Sequence, residues 1–283
     1  MAERIVHKSI TTHRTIEVGR RSVHCLISLP PDDVATQSAA VQLCPGLVSG
    51  HAIFSRYAPI LNQHGYPTVV IEHGHPSPDN HEDVLRVSQD LLDGTFGICV
   101  DELSLATHSL GTRNAVQALV GDAANDVRAH THSLIEIAPV GYGGVQFVRG
   151  AVKTLMHEFR SRPDQKSVRS LAQDGFWYSV RAGVTLRDQI HEARACDLVE
   201  ATQKLISYGI GVGAVLYTQD HLIDFHTVRK GLQIAGVQWI EQVEADHNGV
   251  LFKPQETFDA AMAIKYGIDH EKKCNDTQRK PYA

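Results

Sequence analysis

The chain has 283 residues, of which 42% are hydrophobic, so it can bury one sizeable core with an inserted subdomain or form two domains. The 27 basic and 32 acidic side chains give a formal net charge of −5 without a long basic run, which argues against a nucleic-acid partner. No stretch reaches the roughly 18 consecutive apolar residues of a membrane span, and the N-terminal residues lack the core of a signal peptide, so we expect a cytoplasmic protein that does not associate with membranes.

The first predicted elements form a hairpin. Residues 14–29 alternate between apolar and polar side chains on either side of Gly19 and Arg20, which predicts two antiparallel strands joined by a turn. Short apolar runs then alternate with helical segments, the pattern typical of a parallel sheet buried on both faces. These runs are residues 39–44, 67–72, 103–108, 133–140 and 213–218.

A helix-rich block interrupts this alternation. Residues 145–205 are interpreted as a cap or lid inserted into the sheet domain, which then comprises residues 1–144 and 206–283. The segment after about residue 267 is polar with scattered charge, and we expect it to fray or to lie on the surface. The sequence thus predicts an α/β fold with a mostly parallel central sheet, flanking helices and a helical cap.

The cysteines do not indicate a disulfide framework. All five stand singly and far apart, without CxxC spacing, which suits reduced thiols. Two of them, Cys25 and Cys44, lie in apolar runs that resemble strands, and we interpret both as small buried hydrophobic residues.

A serine follows one of the predicted strands. In the segment LATHSLGT, residues 105–112, Ser109 stands between an apolar run and a predicted helix, and Gly111 permits close approach of the backbone. This arrangement is typical of a nucleophilic serine, although Thr107 occupies the position where the G-x-S-x-G motif has its first glycine. Alternatively, Ser109 only caps the helix.

Two further polar side chains follow later strands. Asp220 comes directly after the run at residues 213–218, and His247 comes at the end of the next apolar run. The carboxyl ends of parallel strands share one edge of a sheet, and the chain order serine, aspartate, histidine is that of one known catalytic triad. Asp224 is an alternative acid, because residues 218–224 offer two carboxylates.

The chain resembles an α/β hydrolase of the cap-bearing esterase, lipase and C–C hydrolase type, from about residue 39 to residue 262. Besides the three polar side chains, the resemblance rests on VQLCPGLVSG at residues 41–50, YAPILNQHGYPTVVIEHGHP at 57–76 and ADHNGVLFKPQETFDAAMAI at 245–264. A departure is Pro45, which stands where relatives often have a histidine that braces the oxyanion loop.

The resemblance implies a role for each residue of the site. Ser109 would be the nucleophile, His247 the general base and acid, and Asp220 the carboxylate that orients the imidazole. The backbone N–H groups of Leu47 and Leu110 would form the oxyanion hole. The expected function is a serine hydrolase that cleaves an ester or related acyl bond of a small to medium apolar substrate. The alternatives are a C–C hydrolase or lyase that uses the same residues, and a noncatalytic ligand-binding protein.

Other expectations concern ligands and partners. Phe176 and Trp177 of the cap are candidate substrate-binding side chains, with core packing as the alternative. The scheme requires no cofactor and no metal. A histidine pair such as His73 and His75 could bind zinc only with further ligands, so we do not expect a metal site there. We expect a small-molecule substrate and a monomer or homodimer.

Overall fold

The computed structural model describes residues 10–19, 21–46, 50–72, 80–144 and 195–279. Within these ranges, eight strands form one sheet: β1 (Ile10–Val18), β2 (Arg21–Leu29), β3 (Ala39–Cys44), β4 (Thr68–Glu72), β5 (Glu102–His108), β6 (Thr131–Ile137), β7 (Gly211–Tyr217) and β8 (Trp239–Val243). Their order is β1-β2-β4-β3-β5-β6-β7-β8. The pairs β1–β2 and β2–β4 are antiparallel, and the pairs from β4 to β8 are parallel.

Helices cover both faces of this sheet. They are α1 (Tyr57–Gln63), α2 (Asn80–Leu92), α3 (Gly111–Val120), α4 (Asn125–His130), α5 (Val199–Ser207), α6 (Phe225–Ile234), α7 (Gly249–Phe252) and α8 (Pro254–Arg279). Because α2, α3 and α5 pack on one face and α1 and α8 on the other, the central strands are apolar on both faces. The hairpin and the parallel strands predicted from the sequence are confirmed.

The segment after residue 267 meets one of the two expectations. Its described part does not fray, since α8 continues to Arg279, but most of its side chains up to residue 275 lie on the surface. Ile268 is buried against β7, where a Cβ atom on Gly211 would lie only 2.3 Å from the Ile268 side chain. One turn of the helix is also held by Asp269, whose carboxylate lies 2.6 Å from Nε2 of His132 on β6. These contacts explain why a polar segment stays helical, with residues 273–275 exposed.

A buried polar network joins β6 to α5. Oε1 of the Glu136 carboxyl group accepts a hydrogen bond from the Tyr142 hydroxyl at 2.9 Å, and that hydroxyl lies 2.6 Å from Oγ1 of Thr202. The Leu198 N–H donates to the carbonyl of Gly141 at 2.8 Å. The described residues on either side of segment 145–194 are therefore held next to each other on one face of the sheet.

The cap prediction falls mainly on residues outside the described ranges, and its boundary at residue 205 stays a prediction. In the described part, α5 packs on α3 and β7. Among the described helices, none has the length together with the apolar character that crossing a membrane requires.

Candidate active site

Ser109 lies in the tight turn between β5 and α3. Its φ of 54° is in the left-handed region, which non-glycine residues rarely adopt, so the surrounding contacts must hold the turn. The Ser109 N–H donates to the carbonyl of Ile137 at 3.0 Å, which ties the turn to the end of β6. The turn therefore places the Ser109 hydroxyl at the carboxyl edge of the sheet.

Thr107 fits the position where glycine is usual because its hydroxyl finds a partner. Its Oγ1 lies 2.8 Å from Oγ1 of Thr112 in the first turn of α3, and both side chains are fully buried. The two hydroxyls satisfy one another, so the β-branched side chain leaves no unpaired polar atom. The sequence did not predict this pair, because Thr112 lies five residues after Thr107 and belongs to the following helix.

Two glycines allow the backbone to close around the serine. A Cβ atom on Gly111 would lie 2.2 Å from the carbonyl oxygen of Cys44, and one on Gly46 would lie 2.9 Å from Cβ of Ser109. Neither position admits a side chain without movement of the main chain. The glycines thus bring the end of β3, the start of α3 and Ser109 into direct contact.

Three side chains from separate loops form a continuous hydrogen-bonded relay. Oγ of Ser109 lies 3.0 Å from Nε2 of His247, and Nδ1 of His247 lies 2.7 Å from Oδ2 of Asp220. The His247 and Asp220 side chains are only 6% and 2% exposed. A neutral imidazole that donates from Nδ1 to Asp220 can accept the Ser109 proton at Nε2.

Hydrogen bonds from the surrounding loops hold Asp220 and His247 in place. Oδ1 of Asp220 accepts hydrogen bonds from the N–H groups of Leu222 at 2.7 Å and Ile223 at 3.1 Å. The main chain of His247 donates from its N–H to Asp246 at 2.7 Å, and its carbonyl oxygen lies 2.9 Å from Nε2 of His108. The sequence did not predict these contacts. Asp246 and His108 lie beside His247 and Ser109 in the two quoted segments, but nothing in those segments assigns either residue a partner.

The alternative acid has a different position. Asp224 caps α6, because its carboxylate accepts hydrogen bonds from the Thr227 N–H at 2.8 Å and the Thr227 hydroxyl at 2.6 Å. These bonds lower the pKa of Asp224. The carboxylate that contacts His247 is that of Asp220.

The remaining predicted residues are only partly described. Leu110 lies at the start of α3, directly after Ser109. Leu47, Phe176 and Trp177, together with His73 and His75, lie outside the described residues. Across the ranges that the structure covers, no group of three His, Cys, Asp or Glu side chains is arranged to hold a metal ion.

The eight-stranded, mostly parallel sheet with helices on both faces is an α/β-hydrolase fold, as predicted. No family model and no curated protein sequence matches the chain significantly. Solved structures do match it.

Carboxylesterase CesB (YbfK) from Bacillus subtilis is 12% identical, with a TM-score of 0.61 over 91% of this chain and 92% of that one. The enol-lactonase from Burkholderia xenovorans LB400 is 13% identical, with a TM-score of 0.63 over 89% and 100%. An esterase from Rhizomucor miehei is 14% identical, with a TM-score of 0.62 over 92% and 83%. Identities this low establish the fold alone.

Proposed function

We propose that the chain is a serine hydrolase that cleaves an ester, or a related acyl bond, of a small to medium apolar substrate. The observation that carries this proposal is the relay from Ser109 through His247 to Asp220, with distances of 3.0 and 2.7 Å. Similarity to a carboxylesterase, an enol-lactonase and an esterase supports it, because their names denote cleavage at an acyl carbon.

In the acylation step, Oγ of Ser109 attacks the carbonyl carbon of the substrate while its proton moves to Nε2 of His247. The Asp220 carboxylate, held by two backbone N–H groups, stabilises the imidazolium that forms. In the proposal, the backbone N–H groups of Leu110 and Leu47 bind the oxyanion of the tetrahedral intermediate.

Collapse of that intermediate breaks the bond to the leaving group, which takes the proton from His247. In the deacylation step, His247 removes a proton from water, and the resulting hydroxide attacks the acyl carbon. The proton then returns to Oγ of Ser109 as the acid leaves. This scheme needs no metal and no organic cofactor.

The proposal also includes the substrate contacts predicted from the sequence. Phe176 and Trp177, in the proposed cap at residues 145–205, would cover the apolar acyl part of the substrate. An apolar cover excludes water and strengthens the electrostatic contacts made with the oxyanion. It also favours acyl chains longer than acetyl.

The test is hydrolysis of p-nitrophenyl esters from acetate to decanoate by wild type and Ser109→Ala. We expect turnover by wild type and a loss of about 10⁴-fold or more in kcat in the variant, because no other group supplies the nucleophile. The matched control is Ser104→Ala. Ser104 is a buried serine on β5, the strand that precedes Ser109, and its hydroxyl accepts a hydrogen bond from the Ser133 hydroxyl at 3.0 Å, so this variant should retain turnover. Equal activity of Ser109→Ala and wild type, or no turnover of any ester by folded wild type, would contradict the proposal.

A further inference from the structure

His108 is a buried histidine that the proposed mechanism does not use. It is the last residue of β5, directly before Ser109, and its side chain is enclosed. Its ring centroid lies 5.0 Å from that of His247, and its ring meets Phe54 edge-on at 6.5 Å. Nε2 of His108 lies 2.9 Å from the His247 carbonyl oxygen. His108 thus links the strand that carries the serine to the main chain of the histidine.

This contact fixes the tautomer of His108. A carbonyl oxygen only accepts hydrogen bonds, so Nε2 must carry the proton and Nδ1 of the neutral ring has a lone pair. Nδ1 is buried and has no hydrogen-bond partner among the described residues. It faces Gly46, where a Cβ atom would lie 3.5 Å away. A charged ring would bury a second N–H group without an acceptor, which is costly.

The surroundings also keep His108 uncharged. Burial, and then repulsion by His247, lower the pKa of His108 to about 3, against the opposing effect of its bond to the His247 carbonyl. His108 is therefore neutral around pH 7. The imidazolium of His247 forms without a second positive charge 5.0 Å away.

We propose that His108 is a positioning residue, whose Nε2–H group holds the His247 main chain so that the imidazole stays within reach of Ser109. The main chain of His247 is then held from both sides, because its N–H donates to Asp246 at 2.7 Å. This inference rests on the proposed function of Ser109 and His247. Loss of the bond should lower kcat more than it changes KM, because the His108 side chain is buried and does not face the solvent from which substrate enters.

The kinetic test compares two variants in which different side chains replace the same buried residue, His108. His108→Leu removes the donor, whereas His108→Gln places an amide N–H at about the position of Nε2. We expect the leucine variant to lose about 10- to 100-fold in kcat with KM changed by less than about threefold, since a displacement near 1 Å has effects of this size. The glutamine variant should recover most of that loss. Full activity of the leucine variant, or equal loss in both folded variants, would overturn the proposal.

A second measurement needs no turnover. Histidine-selective ¹⁵N NMR reports the tautomer of each ring, and the His108 signals are assigned by their absence in His108→Gln. We expect His108 as the Nε2–H tautomer without titration between about pH 5 and 8. The proton on Nδ1 of His247, in the short hydrogen bond to Asp220, should give a signal far downfield in the proton spectrum. This downfield signal should persist in the glutamine variant and broaden or vanish in the leucine variant.

Three results would refute the positioning role. They are an Nδ1–H tautomer of His108, titration of His108 near its ordinary pKa, and an unchanged downfield signal in His108→Leu. This result is distinct from failure of the proposed hydrolase function, which would show as wild type that turns over no ester. The spectra decide the role of His108 in either case.

Discussion

Ser109 occupies a strained backbone conformation that its neighbours sustain. The φ of 54° persists because the Ser109 N–H bonds Ile137, Gly111 lets α3 start directly after the turn, and Thr107 pairs with Thr112. Strain of this kind costs about 1–3 kcal/mol and survives only where the surrounding contacts determine it. Thr107 is therefore compatible with a sharp serine turn, although the G-x-S-x-G motif has a glycine at this position.

Asp220 and Asp224 lie close together in the sequence but make different contacts. The Asp220 side chain is buried and contacts both His247 and two backbone N–H groups, whereas Asp224 is partly exposed and caps α6. We expect Asp220→Asn to lower kcat on esters by about 10⁴-fold, because the amide no longer holds the required tautomer of His247. Steady-state kinetics at fixed pH measure this loss.

Asp224→Asn is the matched control for that experiment. Asparagine caps helices about as well as aspartate, so this variant should keep its stability and stay within about threefold of wild-type kcat. If Asp224→Asn were the inactive variant and Asp220→Asn the active one, the assignment of the acid would be wrong.

At the scale of elements, the connection between β6 and α5 contains a buried acid. Burial raises the pKa of Glu136 to about 8, with a smaller opposing effect from its hydrogen bond with Tyr142. Between its ordinary pKa of 4.5 and about 8, Glu136 is protonated in the folded chain and ionised in the unfolded chain. Unfolding then releases a proton, so this group makes the protein less stable as pH rises through that window.

Replacing the carboxylic acid with an amide should remove this dependence. We expect Glu136→Gln to match wild type in melting temperature near pH 5 and to exceed it by at least about 2 °C at pH 8. Thermal unfolding monitored by circular dichroism from pH 5 to 8.5 measures both curves.

Glu241→Gln, on the exposed part of β8, serves as the control and should follow the wild-type curve. Parallel curves for wild type and Glu136→Gln would show that Glu136 does not hold a proton in the folded state. His108 does not disturb this comparison at the alkaline end, because its proton is lost in both states above about pH 7.

At the scale of the whole molecule, the sequence predicted those features that repeat along the chain. Apolar runs separated by helical periodicity indicated the strands from β3 to β7, and the residues after them indicated the edge where Ser109, Asp220 and His247 meet. Such patterns follow from burial of both faces of a parallel sheet, which acts on every strand alike.

Contacts between distant side chains were not predictable in this way. His108 contacts the carbonyl of a residue 139 positions later, and the length of α8 depends on the packing of Ile268 against Gly211. Neither contact has a local pattern, because any residue of suitable size and polarity could have stood there. The cap at residues 145–205 and the oxyanion donor Leu47 stay predictions.

The central claim is that Ser109 is the activated nucleophile of the molecule. Its most direct test is incubation of the folded protein with a fluorophosphonate probe, followed by peptide mass spectrometry to locate the adduct. We predict a single adduct on Ser109 in wild type and none on Ser109→Ala. Absence of an adduct on folded wild type, or an adduct on a different residue, would contradict the claim.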